Sequence, residues 1–144
     1  LVENKDLPSL QPVIYDQGDT LYAIQTYMPK ANREIAIGKL GSFSFEKGTY
    51  VYVGSAKKNI QSRIARHLRI DKKFRWHFDY LRPYLKIEKF QTYPGEEGEC
   101  QLFRRLMKEN NGSVPVHGFG SSDCKCASHL FYIPHIEISR NNKK

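Results

Sequence analysis

The stretch from Lys47 to Arg69, KGTYVYVGSAKKNIQSRIARHLR, constrains the fold more than any other. Tyr50, Val51, Tyr52 and Val53 are aromatic or β-branched on both alternating faces, the pattern of a strand covered on both sides. Gly54 ends the run at a turn. From Asn59 the period becomes helical, with Ile60, Ile64 and Leu68 on one stripe and Arg63 and His67 along its border. A strand, a glycine turn and a basic helix in direct succession need a sheet with helices packed on it. This order brings two tyrosines, Tyr50 and Tyr52, and Arg63 close by local geometry.

The rest of the chain supplies elements for such a sheet. Residues 20–27 (TLYAIQTY) suit a strand after the turn signal Gln17-Gly18-Asp19, and residues 34–40 suit a second strand in which Gly38 marks a bulge or a close backbone approach. Phe43 and Phe45 share a face of a short extended piece. Phe74, His77, Phe78 and Leu81 fall at i, i+3, i+4 and i+7, which predicts a helix over 72–81, closed by Pro83. Strands are expected over 86–93 and 130–138, with a helix over about 97–108 ended by Asn110-Asn111-Gly112. The small-residue run 113–128 reads as an ordered loop. Residues 1–12 read as a loosely ordered lead-in and 139–144 as a frayed tail. The fold class is therefore α/β in the α+β sense, a small mainly antiparallel or mixed sheet flanked by helices. The chain of 144 residues makes one domain, 1–144.

Charge points to the partner. The formal net charge is +8, and Lys57, Lys58, Arg63, Arg66, Arg69, Lys72, Lys73 and Arg75 share one segment with Asp71 as its only acid. Such clustering favours a phosphate-rich partner, hence nucleic acid. No apolar run approaches the ~18 residues that span a bilayer, so no membrane role and a cytoplasmic location are expected. Three cysteines, Cys100, Cys124 and Cys126, leave one bridge open, but reduced thiols are the simpler expectation in that compartment.

Thr20-Leu21-Tyr22, then Tyr52-Val53-Gly54 with Ser55-Ala56, then a helix carrying Arg63, Arg66 and His67, resembles the GIY-YIG nuclease superfamily over residues 20–107. Together with PVHGFGSSDCKCASHLFY, it resembles more closely one branch, the DUF123 family, over most of the chain. Thr20 stands where glycine is usual, and the interval between the two tyrosine motifs exceeds the usual short hairpin. The resemblance implies a metal-dependent endonuclease or nickase that hydrolyses DNA phosphodiester bonds with one Mg²⁺ or Mn²⁺. Tyr22 and Tyr52 would be the motif tyrosines, Arg63 the helix arginine and Glu99 the metal-binding carboxylate.

Each assignment has a chemical reason and a structural alternative. Phosphodiester cleavage builds negative charge that a planar, permanently charged guanidinium such as Arg63 can meet. A phenol is a poor base at its ordinary pKa of about 10, so Tyr22 or Tyr52 acts as one only if a metal or Arg63 lowers that value. Otherwise they orient water, or simply pack in their strands. His67 is an alternative base or phosphate donor. Glu99 continues, one turn back, the stripe of Leu102, Phe103, Leu106 and Met107, so it is either a metal ligand or an acid complementing a helix N-terminus. Lys57, Lys58, Arg66, Arg69, Lys72, Lys73 and Arg75 would grip the backbone. Cys124, Cys126 and His129 are zinc-type residues, but Cys-x-Cys-x2-His lacks the spacing of common zinc modules, and packing or lining of the groove is expected instead. A non-catalytic nucleic-acid-binding module that partners a DNA-repair enzyme is the alternative function.

Overall fold

The computed structural model describes residues 18–121 and 126–134. Its centre is a four-stranded antiparallel sheet of β1 (Leu21–Met28), β4 (Gly48–Ser55), β5 (Lys86–Tyr93) and β6 (Leu130–Pro134), in spatial order β5-β1-β4-β6. A separate two-stranded sheet, β2 (Asn32–Ala36) with β3 (Ser42–Phe45), fills the long interval between β1 and β4. The helices are α1 (Ile60–Leu68), α2 (His77–Leu81) and α3 (Glu99–Glu109). The α+β class expected from the pattern is the one observed. Among the described residues, no helix is long and apolar enough to cross a membrane.

Both sheet faces are covered, as the YVYV run requires. Tyr22, Ile24, Met28, Tyr50, Tyr52 and Phe90 pack on one face with Ile60 and Ile64 of α1, Phe78 and Leu81 of α2, and Ile35, Ile37 and Phe45 of the inserted hairpin. Leu21, Ala23, Val51, Val53 and Phe131 form the other face under Leu102 and Phe103 of α3. The extra segment between the tyrosine motifs is thus built into the core. Each of its fully buried side chains contributes on the order of 1.5–3 kcal/mol of transfer free energy.

Two elements depart from expectation. The strand expected over 34–40 ends at Ala36, and Gly38–Leu40 forms a 3-10 turn. Gly38 has φ +52°, and a Cβ there would lie 3.3 Å from the Tyr80 ring, so the close approach read from the sequence is real. The helix expected over 72–81 exists only as His77–Leu81. Asp79 prevents its earlier turns: its fully buried carboxylate accepts the backbone N–H groups of Arg75 (2.7 Å) and Trp76 (2.9 Å), folding 72–76 around the helix start as a cap. The strand 86–93 is as expected, and α3 starts two residues late because a 3-10 turn, Gly95–Glu97, precedes it. The lead-in 1–12, residues 135–138 of the last expected strand, the tail 139–144 and Cys124 lie outside the described residues.

Candidate active site

The site forms at the end of the central sheet where β1 begins and β4 finishes. Antiparallel register sets Tyr22 opposite Gly54 and Ile24 opposite Tyr52, so both phenols rise from the same face, two positions apart. The two glycines beside them make room. A Cβ on Gly54 would lie 2.5 Å from the Tyr22 hydroxyl, and one on Gly120, where φ is +71°, would lie 2.9 Å from the Tyr52 ring. Any larger residue at position 54 would therefore displace Tyr22.

A cavity of about 220 Å³ opens here, lined by Tyr22, Tyr52, Ser55, Arg63, His77 and Glu99 among others. Arg63 comes from the helical layer on one face and Glu99 from the first turn of the helix on the other. Ser55, the last residue of β4, joins them. Its carbonyl accepts from the Arg63 guanidinium at 2.9 Å, and its hydroxyl donates to Glu99 Oε1 at 2.7 Å. The sequence placed Ser55 in the second motif without a role of its own. The available signal was its position directly after Gly54 at the strand end, where side chains point into the opening rather than across the sheet.

Glu99 is ionised and accessible, with 31% of its side chain exposed. Burial works to raise its pKa, but contacts with His129 and Ser55 and the charge of Arg63 outweigh it and hold the carboxyl below the ordinary range. His129 Nδ1 lies 3.0 Å from Glu99 Oε2. A carboxylate has about four lone-pair sites, so these contacts leave capacity for a cation. Glu99 is also the first residue of α3, so the helix-terminus alternative and the cavity role coincide in one side chain.

The tyrosines do not ionise readily. Burial pushes the Tyr22 phenol up despite the opposing Arg63, and burial pushes the Tyr52 phenol well up too. Arg63 alone therefore does not lower either phenol into the range of a base, and with the protein's own groups both are neutral hydrogen-bonding groups. Tyr22 O–H lies 2.7 Å from His67 Nε2, and Arg63 is within hydrogen-bonding reach of the phenol oxygen. The consistent direction is Arg63 donating to Tyr22 and Tyr22 donating to His67. His67 is buried, its ring centroid 5.2–5.5 Å from those of Tyr22, Tyr52, Trp76 and Phe78. Burial, with Lys72 next, lowers its pKa to about 3. It is therefore a neutral acceptor that fixes Tyr22, and at 1% exposure it stands behind the cavity wall rather than meeting a phosphate as the donor considered from sequence.

Trp76 collects guanidinium groups. Arg66, Arg63 and Arg75 lie 4.2, 4.7 and 5.3 Å from its ring, a cation–π arrangement that concentrates positive charge at the cavity. His77, which also lines the cavity, accepts the Gly120 N–H at Nδ1 (2.8 Å), so its Nε2 carries the hydrogen, and burial lowers its pKa.

The basic segment divides into two sets. Lys57, Lys58, Arg69, Lys73 and Arg75 are exposed. Lys72 is not a surface group: its side chain is 4% exposed and its ammonium lies 3.2 Å from Asp79. Arg66 likewise pairs with Asp79 at 3.0 Å and donates to the Lys73 carbonyl. These two cations therefore partner Asp79, a fully buried acid that needs them, so Lys72 in particular is spent on the interior, whereas Arg66, with 22% of its side chain exposed, serves both Asp79 and the surface. Arg66, Arg69, Lys72, Lys73, Phe74 and Arg75 line an open groove beside the cavity, Lys72 from its largely buried position on the groove wall, and Arg75 borders both.

Cys100 and Cys126 are joined by a disulfide, with Cα atoms 5.8 Å apart, contrary to the expected reduced thiols. The sequence reading grouped Cys124 and Cys126 with His129. Among the described residues the group is instead Cys100, Cys126 and His129. Cys100 joins it because α3 carries it under the loop, which local spacing could not reveal.

No curated protein and no solved structure is significantly similar to this chain. The family described as "Domain of unknown function DUF123" matches residues 22–144, which span both tyrosines, the basic helix, the acid of α3 and the loop bearing His129, and the chain belongs to that family.

Proposed function

We propose that this chain is a metal-dependent endonuclease or nickase of the GIY-YIG type acting on DNA. The observation that carries the reading is the convergence of Tyr22, Tyr52, Arg63 and Glu99 on one open cavity, although 77 positions separate the first from the last. Arg63, held by Ser55 and by the Trp76 face, offers a fixed fork to a phosphoryl group that gains negative charge. Glu99, ionised and directed at the cavity, is the residue that would hold Mg²⁺ or Mn²⁺, and a lone carboxylate suits an ion that keeps most of its water. Such an ion would supply Lewis-acid activation of the phosphoryl oxygen and a water of lowered pKa. Tyr22 and Tyr52, as neutral phenols, orient water and substrate oxygens, and His67 holds Tyr22 in register. Arg75 leads the nucleic-acid backbone from the basic groove into the cavity.

The test is conversion of supercoiled plasmid to the nicked form with Mg²⁺ or Mn²⁺. Arg63→Ala and Glu99→Ala are each expected to lower the rate by about 10²-fold or more. Undiminished nicking by both variants would remove these residues from the chemistry. The second reading, a binding module that partners a repair enzyme, draws support from the raised pKa values of both tyrosines beside an intact basic groove. Salt-sensitive binding with no metal-dependent cut on any DNA or RNA form would favour it.

A further inference from the structure

We infer that Cys100, Cys126 and His129 form, once the Cys100–Cys126 disulfide is reduced, a binding site for a zinc-type cation beside the cavity, with ligands of its own and Glu99 standing between the two. One ligand atom from each lies within 4.8 Å of the other two. Cys100 Sγ and His129 Nε2 are 3.6 Å apart. Tetrahedral zinc with bonds of about 2.3 Å to sulfur and about 2.05 Å to nitrogen sets those two ligands roughly 3.6 Å apart, so this edge of the tetrahedron already exists.

The imidazole is prepared for the role. Its Nδ1 lies 3.0 Å from Glu99 Oε2, leaving Nε2 directed at the sulfurs. Metal-bound histidines characteristically have a carboxylate at the other ring nitrogen, which fixes the tautomer and raises ligand basicity. The backbone is held on both sides, with His129 N–H donating to the Phe119 carbonyl (2.8 Å) and its own carbonyl accepting from Val53 (2.9 Å). His129 is 2% exposed, so its ring is fixed before a metal arrives. Arg104 Nη1 lies 3.9 Å from Cys126 Sγ.

The chemistry balances in two steps. A dithiol reductant delivers two electrons and two protons to the Cys100–Cys126 bond and leaves as its own disulfide, giving two thiols. The dication then displaces both thiol protons, taking two thiolates and His129 Nε2, with water as the fourth ligand. Thiolate and imidazole ligands select zinc over the oxygen-seeking Mg²⁺.

The inference does not rest on the nuclease reading, because its test measures metal rather than cleavage. The full chain is reduced with a dithiol, equilibrated with Zn²⁺ under nitrogen, desalted and analysed for metal. The expected result is stoichiometric zinc, lost in His129→Asn and in Cys100→Ser. With Co²⁺ in place of zinc, a thiolate charge-transfer band in the near ultraviolet and an intense tetrahedral band in the visible are expected. A second measurement needs no variant: bound zinc should slow alkylation of Cys100 and Cys126 in the native chain at least tenfold, read by peptide mass spectrometry. Reduced protein that retains no stoichiometric zinc, or alkylates at the same rate with and without it, overturns the inference.

Discussion

At the scale of single residues, burial decides the chemistry of His67. It sits among aromatic rings beside Lys72, and its pKa falls to about 3, far below the ordinary 6.5. In the unfolded chain the same imidazole takes up a proton near its ordinary value. Between pH 6.5 and about 3 the unfolded state therefore binds more protons, and stability falls as pH falls, by up to about 1.4 kcal/mol per pH unit. Urea denaturation followed across this range should show that slope for the native chain and a flatter one for His67→Gln. Tyr22 follows the same logic from the acid side, since burial keeps its proton on and makes it a donor to His67.

At the scale of elements, residues 72–76 are set by a buried acid rather than by their own periodicity. Phe74, His77, Phe78 and Leu81 have helical spacing, yet Asp79 draws Arg66, Lys72 and two backbone N–H groups to itself, and the early turns never form. Burial alone would raise the pKa of Asp79, but these partners outweigh it and lower it. Its stabilising contribution is thus complete above the ordinary carboxylate value and lost as pH falls through the lowered one. Asp79→Asn leaves two cations around an uncharged amide and is expected to cost about 3 kcal/mol, read as a lower urea midpoint. The same residue marks what could be read from sequence. The YVYV strand, Gly54 and the α1 stripe were legible because their neighbours are local and periodic. The short α2, the duty of Lys72 and the link through Ser55 were not, because each depends on a partner brought in by tertiary folding. Glu99 was legible because an acid interrupted an apolar stripe, whereas Cys100, next to it, gave no such signal.

At the scale of the whole molecule, charge and opening coincide. The chain carries +8, and the groove of Arg69, Lys73 and Arg75 adjoins the cavity at Arg75. Each phosphate contact removed should reduce the slope of log affinity against log salt by about 0.9. Lys73→Gln with Arg75→Gln is therefore expected to flatten that slope by about 2 in fluorescence-anisotropy titrations with duplex DNA, without shifting the melting temperature. Lys72→Gln should do the reverse, lowering melting with little change in slope, because its partner is Asp79. The Ser55 link between Arg63 and Glu99 also has a mechanical meaning. Two layers that pack on opposite sides of the sheet are tied at its rim by one hydroxyl and one carbonyl. In the proposed function, a bound strand that drew the guanidinium outward would load the first turn of α3 through Ser55, and Cys100 is the next residue along.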